Sequence, residues 1–202
     1  MKASVGMDKQ GVSNISVKRL NMRAVFFYLM ERGSASVRDL SVALDMSAPT
    51  VIQNLNELTE RKLVVIEGMR ESTGGRKARA YNVNDRACFA AGLDVTRADV
   101  SLAILGLRGQ AVLNAKSRLP FSDRPEYYEK VGRFLSDHLE KAGVVPEELV
   151  GVGISLPAII AGDGQSTTNA DPLGKRIVQL HSFKQYIPRP CRLLNDANAG
   201  GY

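Results

Sequence analysis

The chain has 202 residues, of which 44% are hydrophobic and 24% charged, with a net charge of +6. That composition belongs to a globular protein with room for one or two domains and a core that needs no staples, and it excludes a low-complexity or fibrous chain. Cys88 and Cys191, with no CxxC pair and no histidine cluster, read as ordinary thiols of a reducing compartment rather than a disulfide framework.

Residues 1–16 are polar and without periodicity, and are expected to form a loose tail with no apolar core of a signal peptide. From Val17 the pattern turns helical, with Leu20, Ala24, Phe27, Tyr28 and Met30 recurring at helical spacing up to Gly33, which ends the helix. A second helix follows Ser36, a predicted N-cap, with Val37, Leu40 and Leu44 as its apolar stripe. A third follows Ser47, with Pro49 in its first turn and Val51, Leu55 and Leu58 as its buried face. The link between the second and third helices is only about three residues, "DMS", the arrangement of a helix-turn-helix. Two strand-like runs, "LVVIEGM" and "ARAYNVN", then flank a glycine turn, "RESTGGRK".

Three helices and a hairpin, in that order, predict a winged helix-turn-helix domain over 17–86. The charge agrees. Residues 1–86 hold 14 Lys and Arg against 9 Asp and Glu, whereas 87–202 hold 13 against 12, so the basic excess sits where a polyanion would bind. Double-stranded DNA is the expected partner. The third helix would enter the major groove and present Ser47, Pro49, Thr50, Gln53, Asn56 and Glu57, with Asn54 at its edge; Gln and Asn can pair with adenine through two hydrogen bonds. Gly74 and Gly75 would let the hairpin tip approach the duplex, bringing Arg76, Lys77 and Arg79 to phosphates or a narrow minor groove. The alternative is a merely solvated helix face and an inert basic tip.

Beyond residue 86, strand-like runs at about 88–95, 98–106 and 111–118 are joined by short turns, Arg108-Gly109 being a hairpin turn. "PEYYEKVGRFLSDHLEKAG" reads as an amphipathic helix with Tyr128, Val131, Phe134, Leu135 and Leu139 inward and Gly143 closing it. "LVGVGISLPAII" is a buried strand running into a loop. It belongs to the longest apolar run, which is too short to span a bilayer and contains Pro157, so no membrane association is expected. "CRLLNDANAGGY" is a strand entering a small-residue helix. Three meandering strands, a helix, a strand and a further strand predict an α/β fold: the first lobe of an actin-like (ribonuclease H-like) fold over 87–202.

With these elements in order, "TGGRKARAY", "AGLDVT", "GVGISLPA" at 151–158 and "LLNDANAGGY" at 193–202 make the chain resemble the ROK family of bacterial repressors and sugar kinases. The resemblance implies a cytoplasmic, nucleoid-associated transcriptional regulator of sugar metabolism, a repressor and homodimer, with a sugar or sugar-phosphate effector. Matched to the kinases, Asp94 to Asp99 replaces a glycine-rich phosphate loop with bulkier residues and an acid, so phosphoryl transfer is not expected. Asp196 matches their catalytic base and here would hydrogen-bond a sugar hydroxyl beside Asn195, or cap the helix, or both. Asn169 and Asp171 are expected to line the same cleft. The family's second lobe and cysteine-rich zinc motif would lie beyond Tyr202, so half of the sugar cleft would be missing from this chain and no cofactor is expected in it. Two other functions stay open: a sugar kinase with a nucleic-acid-binding extension, and a DNA-binding module with a purely dimerising second domain.

Overall fold

The computed structural model describes residues 14–72 and 75–199. The chain divides into two compact units, Met1–Asn84 and Asp85–Tyr202.

The first unit runs α1 (Asn14–Arg32), β1 (Ala35–Ser36), α2 (Val37–Leu44), α3 (Ala48–Glu60), β2 (Val64–Ser72) and β3 (Gly75–Val83). Residues 1–13 of the expected tail lie outside the described residues, while Asn14 and Ser16 already belong to α1. Helix α2 opens on a reciprocal cap. Ser36 Oγ accepts from the Asp39 amide at 3.2 Å, and Asp39 Oδ2 accepts from the Ser36 amide at 2.9 Å. Such a cap satisfies two of the amides that a helix start leaves orphaned. Helix α2 ends on Asp45, in the left-handed region at φ 51°, and the chain turns through 45–47 into α3. Strands β2 and β3 pair antiparallel, and β1 joins on the far side of β3 through Ala35 opposite Tyr81. A two-residue strand carries no periodicity, and the sequence gives no sign of it.

Helix α1 corrects the sequence reading. Its core residues are Val25 and Leu29, both fully buried, whereas Leu20 is 58% and Phe27 49% exposed. The helix is apolar on two opposite sides, and spacing alone selects the wrong one. On α3 the expected face is the buried one: Val51, Leu55 and Leu58 are buried, as are Leu40, Val64 and Val83 of the same unit.

The second unit is built on a mixed five-stranded sheet in the order β10-β7-β4-β5-β6. Its strands are β4 (Phe89–Val95), β5 (Val100–Leu105), β6 (Ala111–Ser117), β7 (Leu149–Leu156) and β10 (Cys191–Asn195). Strands β4, β5 and β6 meander, and β7 and β10 run parallel to β4. This agrees with the predicted strands within about two residues at each end. The β5–β6 turn holds Gly109 at φ 82°, a conformation that costs other residues strain. One face of the sheet is apolar in strict alternation, with Leu93, Val95, Val100, Leu102, Ile104, Val152, Ile154, Leu156 and Leu193 buried. Helix α4 (Pro125–Lys141) contributes Tyr127, Tyr128, Val131, Leu135 and Leu139 to the same core, with Phe134 half-buried at its margin. Gly132 lets α4 approach the next segment closely, since a Cβ there would stand 2.6 Å from the Tyr186 carbonyl oxygen. The excursion between β7 and β10 holds a short hairpin, β8 (Ile159–Ile160) with β9 (Thr167–Asn169), and the short helix α5 (Leu180–Lys184). Phe183 of α5 is fully buried and meets Tyr128 edge-on, centroids 4.9 Å apart. Helix α6 (Asp196–Ala199) follows β10 directly.

Candidate functional site

Two regions carry the residues singled out in the sequence. The first is the outer face of α3. Ser47 caps the helix through Oγ, which accepts from the Thr50 amide at 3.3 Å and shares a hydrogen bond with Thr50 Oγ1 at 2.8 Å. The cap and Pro49 fix the first turn, which sets the helix's rotation about its axis. Opposite the buried residues, Pro49, Ile52, Gln53 and Asn56 are exposed. Thr50 is half-buried. So is Glu57, whose carboxylate is held at 2.7 Å by Lys18 of α1 and at 2.6 Å by Arg61. The hydrogen bond from Lys18, followed by that from Arg61, keeps the Glu57 carboxyl below the usual glutamate value.

Asn54 departs from the expectation. It is 3% exposed, and its Nδ2 donates to the Thr50 carbonyl at 2.8 Å. Its side chain faces the core, so it is not a surface reader. The exposed face is rotated from Asn54 toward Ile52, a residue that the sequence reading passed over. The signal was present: in a helix Ile52 stands about 100° from Val51, and so off the Val51–Leu55–Leu58 stripe. The stretch from Ala48 to Asn56 has no charged residue.

Beside this helix in the same unit, the β2–β3 hairpin carries the basic residues. Gly74 lies outside the described residues, as do the side chains of Arg76 and Lys77, which sit on β3. Arg79 is exposed on β3, directly opposite Met69 of β2.

The second region is the β10–α6 junction. Asn195 ends β10, and its amide is engaged at both ends: Nδ2 donates to the Ala158 carbonyl at 2.9 Å, and Oδ1 accepts from the Asn198 amide at 3.1 Å. Asn195 is thus the residue that caps α6. Asp196 is exposed, and its Oδ1 accepts from the Ala197 amide at 2.9 Å. The hairpin β8–β9 places Asn169 opposite Ile159, next to the Ala158 that Asn195 holds. Asn169 Nδ2 donates to Asp171 Oδ2 at 3.0 Å, and its Oδ1 accepts from the Asp171 amide at 2.8 Å. The four predicted residues therefore converge on one end of the sheet, the carboxyl ends of β7 and β10, where open α/β sheets bind ligands. All four make local hydrogen bonds, and Asp171 and Asp196 are exposed with one carboxylate oxygen each engaged by a neighbour in sequence.

The turn after β4 closes on itself. Thr96 N donates to Asp99 O at 2.9 Å, and Thr96 Oγ1 accepts from the Asp99 and Ala98 amides at 3.1 and 3.4 Å. Asp99 is also paired with Lys116 at 3.3 Å. The Ala98 and Asp99 amides therefore already have an acceptor within the turn. Nearby, on the sheet face away from α4, Asp94, Ser101, Asn114, Lys116 and Ser155 line an open cavity of about 800 Å³ above Gly92 and Gly153. Among the described residues no group of three His, Cys, Asp or Glu side chains is placed to hold a metal ion. Burial pushes the Cys88 and Cys191 thiols up, which disfavours their thiolates. No described helix is long and apolar enough to cross a membrane.

No family model matches the chain. Curated proteins do. A xylose repressor of Bacillus spizizenii is 27% identical over 188 residues, covering 92% of this chain and 48% of its own length. The DNA-binding transcriptional dual regulator NagC of Escherichia coli is 23% identical over 153 residues, covering 73% of this chain and 36% of its own. A crystal structure of a ROK family transcriptional regulator, a homologue of the E. coli MLC protein, superposes over 92% of this chain and 47% of its own, with a TM-score of 0.62 at 17% identity. The chain thus shares the fold of that ROK family regulator. It spans about half the length of the curated relatives that it matches. The alignments to the xylose repressor and to the ROK regulator structure, at 92% of the chain, reach into both units.

Proposed function

We propose that this chain is a ROK-family, sequence-specific DNA-binding regulator of sugar metabolism, acting as a repressor. In this reading the first unit is a winged helix-turn-helix, with α3 lying in the major groove and the β2–β3 hairpin beside it. Pro49, Gln53 and Asn56 face base edges, Ser47 and Thr50 stand near the backbone, and Arg76, Lys77 and Arg79 meet phosphates. The observation that carries the reading is the exposed face of α3 from Ala48 to Asn56, which carries no charge. A face that is only solvated usually carries Lys, Arg and Glu; this one presents an amide pair and small groups, on a unit whose excess charge is positive. The relatives named as a xylose repressor and as a DNA-binding transcriptional dual regulator support it.

The second unit is read as a non-catalytic sugar-responsive lobe, with Asp196 accepting from a sugar hydroxyl and Asn169, Asp171 and Asn195 shaping the wall around it. The self-satisfied turn over 96–99 favours sensing over phosphoryl transfer, which needs free amides at the phosphates. Effector binding would bias a two-state equilibrium of a homodimer on its operator. Gel-shift titration against genomic fragments, with and without pentoses and hexoses, tests both halves of the proposal. The regulator reading predicts a preferred fragment and its release by a particular sugar. Equal affinity for every fragment would remove the first half, and a preferred fragment that no sugar releases would remove the second. Asp196→Asn should keep the preferred fragment and weaken the release.

A further inference from the structure

We propose that Ile52 reads a thymine methyl group, and that the operator half-site therefore carries a thymine next to the adenine that Gln53 reads; this rests on the DNA-binding reading above. Ile52 is 44% exposed and lies on α3 one position before Gln53 and three after Pro49. Its neighbours in sequence, Val51 on one turn and Leu55 on the next, are fully buried, so the helix has already filled its core face. Isolated exposed apolar residues are common and need no explanation. Position distinguishes this one. Ile52 stands in the N-terminal half of the helix, the half that contacts base edges in helix-turn-helix proteins. Ala48 and Pro49, one turn before it, are exposed as well, so the apolar surface is continuous over that turn.

The major groove offers such a surface one apolar feature, the C5 methyl of thymine. A branched aliphatic side chain fits over it, while the amide of Gln53, about 100° around the helix, reaches the N6 and N7 of a neighbouring adenine. The two side chains thus specify different things by different means. Gln53 discriminates through hydrogen bonds. Ile52 discriminates through burial of a methyl, which cytosine and uracil lack.

The test replaces one methyl at a time. The intact chain is used to select duplexes from random DNA, and each thymine of the selected site is then replaced singly by deoxyuridine. At one thymine per half-site the replacement should weaken binding about three- to fivefold, the effect of one buried methyl-sized group. Ile52→Ala should bind the thymine and deoxyuridine duplexes equally. Gln53→Ala should keep the deoxyuridine penalty while losing its adenine preference. Because Ile52 is a surface residue, the alanine variant keeps the core intact. If the wild type selects a site but no thymine in it is sensitive, or if Ile52→Ala keeps the penalty, the inference fails while the regulator reading stands. If no duplex is selected at all, the regulator reading fails and takes this inference with it.

Discussion

The polar side chains on the outer face of α3 and those at the β10–α6 junction are differently occupied. At the β10–α6 junction, Asn195 uses both ends of its amide on backbone groups, and Asn169 and Asp171 hold one another. On α3, capping is assigned to Ser47, and Gln53 and Asn56 project outward. A polar side chain that is free of local structural duty is available for a partner; one that closes a turn is not. On the reading proposed above, the N-terminal unit presents a recognition surface as it stands. The second unit would present a shaped wall on which Asp171 and Asp196 are exposed.

That contrast can be broken at several places. Removing Phe183, which fills the second unit's core against Tyr128, should cost that unit about 3–5 kcal/mol as Phe183→Ala. Segment-resolved hydrogen exchange should show protection lost over 85–199 and kept over 14–72; loss across both would mean that the units do not stand alone. Gly132→Ala forces a Cβ against the Tyr186 carbonyl and should destabilise the same unit by about 1–3 kcal/mol, read as a lowered denaturant midpoint. An unchanged midpoint would show that α4 can shift freely. On the recognition side, Gln53→Ala should change which sequences are selected, at about 1–3 kcal/mol of discrimination, while Arg79→Ala should weaken all sequences alike and lower the salt slope by about one. Loss of the capping box in Ser36→Ala should cost the first unit about 0.5–2 kcal/mol in thermal unfolding.

The smallest expected effect is that of pH. The Glu57 carboxyl is held down first by its hydrogen bond with Lys18, then by that with Arg61. A group with a lowered folded-state value stabilises the fold above its unfolded value and ceases to do so as pH falls through the folded one. The α1–α3 tie should thus weaken only below the ordinary glutamate range, and slightly, because the pair is exposed. Carboxyl carbon shifts followed by NMR should show Glu57 titrating below the protein's free glutamates, and Lys18→Ala should move it up.

Much of the architecture was legible because its signals are local. The strands β4, β5 and β6 alternate cleanly, α4 has one apolar face, and Ser36, Ser47, Gly33 and Gly109 mark element ends by their own chemistry. What escaped depends on context. Helix α1 is apolar on two sides, and only the packing of α2 and α3 selects Val25 and Leu29. Asn54 looked like a reader because it is an amide on the recognition helix, but its angular position puts it with Leu55 and Leu58. Ile52 was passed over although its angular position puts it with Gln53 and Asn56. At the second region, the sequence did not show which residue caps α6, since Asn195 and Asp196 are adjacent and chemically suited to the same task.

The central claim is that α3 and its flanking hairpin bind DNA by sequence. The most direct measurement is fluorescence anisotropy of the intact chain with its own upstream DNA and with random duplex, repeated over a range of salt. The account predicts that the upstream DNA binds about a thousandfold tighter or more at moderate salt, and that both affinities fall steeply and log-linearly as salt rises. Equal affinity for the two duplexes, or affinity indifferent to salt, would contradict it.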